Sequence, residues 1–189
     1  MSAAATPTGD SGDSGAVSWP RVRDRDGYEY AHGSWAKIPL GAESNWTAFR
    51  ALVSLMDQIV DARGGVALPG GCALQIWPNA PKSYRRPDGS YFPPGRLPDD
   101  RVPSGMVNVP PDLVIEALSP TDKGADMFAK VEEYFEVGVR LVWLLFPKTR
   151  TVLAIHSDGR ALRLTENATL TGEDVIPGFA IPVAELFQR

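Results

Sequence analysis

The chain has 189 residues, of which 43% are hydrophobic, and its formal net charge is −4 with a pI of about 5.2. This length and apolar content predict one domain with a substantial core, because domains commonly run to about 100–200 residues. The acidic balance excludes a surface that binds nucleic acid everywhere, and the only cysteine, Cys72, excludes an internal disulfide and a CxxC metal site. We expect Cys72 to be a buried structural thiol in a reducing compartment.

Residues 1–18 are mostly Ser, Gly, Ala, Thr and Asp, so we predict a disordered tail before a single domain over 19–189. The tail lacks a signal-peptide pattern, and no stretch reaches the roughly 18 apolar residues of a membrane span. We therefore expect a cytoplasmic protein.

Segment 28–40 predicts a short hairpin with its turn at His32 and Gly33.

A first helix is predicted from Ser44 or Asn45 to the Gly64-Gly65 pair. Its apolar stripe consists of Phe49, Leu52, Val53, Met56, Ile59 and Val60. Segment 66–77 then predicts a strand interrupted at its glycines, and 85–92 predicts a short second strand. The Pro-rich stretch 92–105 predicts a loop.

Segment 112–118 predicts a central strand, because its nearly continuous apolar character is typical of strands covered on both faces. A second helix over about 123–137 would begin at Thr121 or Asp122, with Phe128, Val131 and Phe135 facing inward. Segment 139–146 predicts another buried strand, and 151–164 predicts a hairpin across an Asp-Gly turn. The order predicts an α/β (α+β) fold, with a mixed sheet flanked by helices.

Glu116 lies in the middle of the apolar strand sequence PDLVIEALS. A carboxylate there is costly to desolvate unless a hydrogen-bond network, a partner charge or a metal holds it. Strand alternation puts Asp112 on the same face, but about 13 Å away, since a strand rises about 3.3 Å per residue. That separation is too long for two ligands of one metal ion.

Asp88 in RRPDGSY is the obvious partner for Glu116, because side chains on neighbouring strands approach to about 5 Å. Two carboxylates with several waters would suit Mg²⁺, which prefers hard oxygen ligands. Two alternatives remain open. Asp88 would cap a Pro-Asp-Gly turn, and Glu116 would pair with a buried arginine; spacing alone favours these alternatives.

Four motifs carry a resemblance: PDGSYFPPGRLP, PDLVIEALSPTD, a helix with Lys130 and Tyr134, and GVRLVWLLFP. In this order and spacing, the chain resembles the bacterial family of Uma-type restriction endonucleases, once known only as a domain of unknown function. That family resembles the PD-(D/E)XK nuclease superfamily. The resemblance implies a restriction-endonuclease-like core and Mg²⁺-dependent hydrolysis of DNA phosphodiester bonds, with Mn²⁺ as a substitute ion.

Carried over residue by residue, the resemblance implies that Asp88 takes the Asp position and Glu116 the Glu position. The Lys position two residues after Glu116 is Leu118, which has no charge to offer. In the family this lysine is found on the following helix, where Lys130 stands. The implied metal ligands are Asp88, Glu116 and the backbone carbonyl of Ala117.

Other roles are open. Lys130 could instead form a surface pair with Asp126 or Glu133, and Lys123 is a poorer catalytic candidate. Asp112 is expected to be structural, with a supporting role at the metal as the alternative. Glu43 could reach the metal from the first helix, although an acid near the positive end of a helix dipole is the simpler explanation.

The region around Asp88 is rich in basic and aromatic residues, which predicts contacts to a DNA backbone. These residues are Lys82, Arg85, Arg86 and Arg96, with Tyr84, Tyr91 and Phe92 between them. A small patch predicts weak, salt-sensitive binding by a homodimer on a palindromic duplex. His32 and His156 are too isolated for a zinc site. The alternatives to an active endonuclease are an inactive nuclease-fold binding module and hydrolysis of a smaller phosphate ester.

Overall fold

The structure, a computed structural model, describes residues 17–38, 41–119 and 122–188. Nearly all of the predicted tail lies outside these residues. So does Thr121, one of the two predicted starts of the second helix.

The predicted N-terminal hairpin is confirmed. Strand β1 (Tyr28–Ala31) pairs antiparallel with β2 (Ser34–Lys37). The turn residues His32 and Gly33 have φ values of 52° and 76°, the left-handed conformation that such tight turns need. Tyr30 forms a bridge to Tyr84, so the hairpin is attached to the segment that precedes the central strands.

Six strands form the main sheet, in the order in which they occur along the chain. They are β3 (Val66–Pro69), β4 (Gly89–Phe92), β5 (Leu113–Ala117), β6 (Leu141–Phe146), β7 (Thr151–His156) and β8 (Ala161–Leu164). Strands β5 and β6 are parallel, and the other neighbours in this sheet are antiparallel. Farther along, β9 (Thr169–Thr171) pairs with β10 (Ala180–Pro182). The predicted mixed sheet is confirmed.

Helices cover both faces of this sheet. Helix α1 (Ala42–Leu55) continues through a π-helical segment (Met56–Val60) and a short α2 (Asp61–Arg63) to Gly64. Helix α3 (Gly124–Glu136) connects the parallel strands β5 and β6, and α4 (Val183–Leu186) follows β10. Alternate residues of β5 pack toward α1 and toward α3, which explains why this strand is apolar throughout.

The faces that the two long helices bury match the predicted stripes only in part. Leu52, Ile59 and Val131 are buried as predicted. Phe49 and Met56 of the first helical stretch are 52% and 41% exposed, and Phe128 of α3 is 50% exposed. Helix α1 instead buries small residues beside its leucines: Ser44, Thr47, Ala48, Ala51, Leu52 and Leu55. Small residues let the helix approach the sheet closely, and a stripe read only from large apolar residues misses that face.

The segment before β4 is irregular. The predicted strand 66–77 ends at Pro69, and the predicted second strand begins only at Gly89. A Cβ atom at Gly89 would lie 3.2 Å from Cδ1 of Ile115 and 3.4 Å from Cδ1 of Leu52. This close packing among β4, β5 and α1 fixes the backbone directly after Asp88. The single Cys72 is half-buried beside the core on the α3 side.

Candidate active site

A cavity of about 430 Å³ is lined by residues of the hairpin, the segment before β4, the end of β5 and helix α3. Its lining includes Glu29, Asp88, Glu116, Ala117 and Lys130. The structure therefore brings together the residues that the family resemblance had selected. It adds Glu29, which the sequence did not point to.

Asp88 stands directly before β4, where the β4–β5 register, if continued, would place it opposite Glu116. The N–H of Ala117 donates to Oδ2 of Asp88 at 2.7 Å. Burial raises the pKa of Asp88, although this hydrogen bond and the Lys130 ammonium act in the opposite direction. Asp88 therefore contacts the end of β5 rather than only capping its own turn.

Glu116 is 4% exposed and projects toward α3, on the face of β5 that also carries Val114. Its Oε1 accepts a hydrogen bond from the Tyr134 hydroxyl at 2.8 Å and forms an ion pair with Nζ of Lys130 at 2.8 Å. Burial raises the pKa of Glu116 to about 7; Lys130 opposes this rise, and the Asp88 carboxylate adds to it. The alternative of a buried arginine partner is wrong, because the partner is a lysine.

Lys130 points from α3 into the cavity, with its Nζ between two carboxylates. The distances are 2.8 Å to Oε1 of Glu116 and 3.0 Å to Oε1 of Glu29. Burial lowers the pKa of Lys130, but the two carboxylates raise it more, and the net shift is upward. The alternative of a surface pair with Asp126 or Glu133 is therefore wrong.

Glu29 of β1 is the site residue that sequence reasoning missed. Its Oε1 also accepts the backbone N–H of Arg86 at 2.7 Å, and its Oε2 lies 3.2 Å from Nη1 of Arg85. Burial raises the pKa of Glu29, but Lys130, the Arg86 N–H and Arg85 outweigh burial and lower it. In the sequence Glu29 is one acid in a short predicted hairpin, and nothing in that segment indicates that it is buried.

A chain of charges continues from Glu29 to the surface. Arg85 binds both carboxylate oxygens of Glu133 at 2.8 Å through Nη2. Nε2 of His32, in the hairpin turn, lies 2.6 Å from Oε1 of Glu133. His32 is thus a surface partner of this chain of charges.

The remaining candidate acids lie elsewhere. Glu43 lines a separate cavity that Lys148 also lines. Asp112 lies 3.1 Å from Nε of Arg96 and 3.3 Å from Nη1 of Arg140, which is the structural role expected for it. Lys123 is exposed where α3 begins and lines the active-site cavity.

The predicted basic patch is wrong as a free surface. Arg85 is held by Glu29 and Glu133, Arg86 by Asp24 and the Gly71 carbonyl, and Arg96 by Asp112 and the Pro110 carbonyl. Tyr84, Tyr91 and Phe92 are buried. Lys82 is exposed. The three arginines are therefore paired with residues of the protein itself, which the linear sequence did not show.

The donor set fits a divalent cation held by few protein ligands. Hydrogen bonds and ion pairs among the described residues engage Oδ2 of Asp88 and Oε1 of Glu116, so Oδ1 and Oε2 are the oxygens that would bind a cation. In the same part of the chain there is no group of three or more His, Cys, Asp or Glu side chains that could hold one. Two carboxylates, a backbone carbonyl and waters are the hard oxygen ligands that Mg²⁺ favours.

The sequence of residues 17–184 matches the Uma2 family, described as "Putative restriction endonuclease". The chain belongs to the Uma2 family. It is also similar to a crystal structure of a "putative nuclease belonging to DUF820" from Anabaena variabilis ATCC 29413, with 18% identity and a TM-score of 0.71. The match covers 88% of this chain and 93% of that one. The predicted restriction-endonuclease-like fold is confirmed for this Uma2 chain.

No curated protein matches the chain. Within the described ranges, none of the helices has the length and apolar character needed to cross a membrane.

Proposed function

We propose that this Uma2 protein is a divalent-metal-dependent endonuclease that hydrolyses DNA phosphodiester bonds, with Mg²⁺ as its ion and Mn²⁺ as a substitute. One observation carries the proposal. The Lys130 ammonium lies 2.8 Å from Glu116 in a cavity that Asp88 also lines, which unites the three candidate catalytic groups.

Each residue has a role that follows from its contacts. Asp88, Glu116 and the Ala117 carbonyl would hold the cation, and Tyr134 fixes the orientation of the Glu116 carboxylate. The cation would lower the pKa of a bound water and neutralise charge on the scissile phosphate. Lys130 has a raised pKa, so it serves as a donor that orients the water or a phosphate oxygen and not as a general base.

The inactive binding module and the hydrolase for smaller phosphate esters remain the competing functions. The inward direction of Lys130 favours an active site over an inactive one, because a degenerate site would have no ammonium beside the acids. The internal pairing of Arg85, Arg86 and Arg96 favours weak DNA binding. Enzyme assays must therefore include a small phosphodiester as well as plasmid DNA.

The test is calorimetric titration with Mg²⁺ and Mn²⁺, with plasmid nicking measured in parallel. We expect wild type to bind metal and nick DNA, Glu116→Ala to lose both, and the exposed Glu132→Ala to behave like wild type. Metal binding that survives unchanged in Glu116→Ala would contradict the site. Binding without nicking would favour the inactive module, and turnover of the small diester alone would favour the third function.

A homodimer in the cytoplasm is proposed as the working form, because a two-fold symmetric protein matches a palindromic duplex. Sedimentation equilibrium of the full chain, alone and with DNA, measures this. A monomer under both conditions would refute the dimer without affecting the metal site.

A further inference from the structure

Lys130 contacts two acids that differ in what else they can bind. Among the described residues, the hydrogen bond and ion pair of Glu116 use only its Oε1, whereas both oxygens of Glu29 have protein partners. Oε1 of Glu29 accepts from Arg86 N–H and from Lys130, and Oε2 lies against Arg85. Glu29 is therefore arranged to hold a lysine and not to ligate a cation.

Glu29 is itself fixed. It is 6% exposed, and a carboxylate buried to this degree is stable only when charges and hydrogen bonds compensate it. Arg85 provides one of these charges and is anchored by Glu133 of α3, three residues after Lys130. Helix α3 thus provides both Lys130 and Glu133, and Glu133 anchors the Arg85 guanidinium that compensates Glu29.

We propose that Glu29 is a positioning residue of the active centre, which holds the Lys130 ammonium against Glu116 and makes β1 of the N-terminal hairpin part of the catalytic unit. Its effect on catalysis rests on the proposed function. Its effect on the position of Lys130 does not. The two consequences are measured separately.

The catalytic consequence is tested by a double-mutant cycle with Glu29→Gln, Lys130→Ala and the combined variant. Gln keeps the shape of Glu29 and removes its charge. We expect Glu29→Gln to lower kcat by about 10- to 100-fold, the usual effect of removing a partner that orients an active-site group. KM and the dissociation constant for Mn²⁺ should stay within about twofold of wild type.

If Glu29 acts through Lys130, Glu29→Gln should have no further effect in the Lys130→Ala background. Equal losses in both backgrounds would overturn the proposal, because Glu29 would then act independently of the lysine. Loss of Mn²⁺ binding in Glu29→Gln would also overturn it, since Glu29 would be a metal ligand. A kcat of Glu29→Gln equal to that of wild type would also overturn the proposal. Glu132→Gln, on the exposed side of α3, is the matched control.

The positional consequence is tested without activity, by labelling lysines with an amine-reactive ester and quantifying peptides by mass spectrometry. The Lys130 side chain is 14% exposed and should react slowly in wild type. Glu29→Gln should increase its labelling several-fold and leave the exposed Lys82 unchanged. An unchanged Lys130 rate would overturn the proposal, even if the wild type proved to have no nuclease activity.

Near-ultraviolet circular dichroism checks that each variant is folded. If Glu29→Gln does not fold, Glu29→Asp takes its place in both assays. It keeps the charge and withdraws the carboxylate by one carbon–carbon bond, about 1.5 Å. It should then show the same changes in kcat and labelling, and wild-type values in both would overturn the proposal.

Discussion

Glu116 has a pKa raised to about 7 by burial, so its protonation changes near neutral pH. Since its pKa is higher in the folded than in the unfolded chain, the folded state holds more protons between about 4.5 and 7. The stabilising contribution of this group is complete below the unfolded pKa and is lost as pH rises through the folded pKa.

We therefore predict that metal-free wild type loses stability relative to Glu116→Gln as pH rises from about 4.5 to 7. Gln imitates the protonated acid and cannot titrate. Urea unfolding of both proteins at several pH values measures the difference. Parallel stability curves over this range would contradict the raised pKa.

The Tyr134 hydroxyl donates to Glu116 at 2.8 Å from a fully buried position. Tyr134→Phe removes this donor from a buried carboxylate, and we expect a loss of about 1–3 kcal/mol in the free energy of unfolding. Tyr91→Phe is the matched control, because its hydroxyl lies 3.4 Å from the Gly64 carbonyl and loses little. Denaturant midpoints that shift equally for both variants would show that the Glu116 hydrogen bond is unimportant.

Asp88, Glu116 and Lys130 could be selected from the sequence because family motifs mark them, and the structure places all three at one cavity. Their catalytic roles stay predictions. Glu29 could not be selected, because its contact with Lys130 spans 101 residues and leaves no local pattern. For the same reason Arg85 seemed free, although its partners lie in the hairpin and in α3.

At the scale of elements, the parallel pairing of β5 with β6 explains why Lys130 lies on a helix and not on β5 itself. Parallel neighbours need a crossover, and α3 is that crossover. It covers the face of β5 that carries Glu116, and Leu118 packs against the same core. A lysine nearly two turns into this helix reaches Glu116, so Leu118 can remain apolar.

Substitutions on the two faces of α1 test which face packs against the sheet. We predict that Leu55→Ala, at a fully buried position, lowers the free energy of unfolding by about 2–5 kcal/mol. Phe49→Ala, at a side chain that is 52% exposed, should cost less than about 1 kcal/mol. Denaturant unfolding measures both. A larger loss for Phe49→Ala would mean that α1 is rotated from the observed orientation.

The succession of the main strands and helices along the chain was predictable, because apolar runs and glycine boundaries mark them. The buried face of α1 was predictable only in part, because the residues that let it approach the sheet are small. Ala48 and Ala51 are 2% and 0% exposed, yet they contribute little to an apolar pattern. The distance between α1 and the sheet determines which face of the helix is buried, and this distance cannot be read from a single sequence.

At the scale of the whole molecule the net charge is −4, and two arginines that line the active-site cavity, Arg85 and Arg86, are paired with acids. Lys37 and Lys123 are exposed and line the active-site cavity. We predict that the double variant Lys37→Ala/Lys123→Ala weakens DNA binding and reduces the slope of log affinity against log salt by about two. Fluorescence anisotropy over a salt series measures this.

Lys148 is the matched control, since it is exposed but lines a different cavity. Lys148→Ala should leave the slope unchanged. An equal reduction from both changes would indicate that the duplex contacts the protein over a general surface and not at the cavity.

The contacts of the site differ greatly in the length of chain that they close. Tyr134 and Glu116 are 18 residues apart, Asp88 and Ala117 are 29 apart, and Glu29 and Lys130 are 101 apart. Closing a longer loop costs more entropy, but the bridge between Tyr30 and Tyr84 and the hydrogen bond from the Arg86 N–H to Glu29 shorten the loop that the lysine contact must close. On the ribosome the hairpin and residues 84–86 are synthesised before α3, so Lys130 would meet a carboxylate that is already in place.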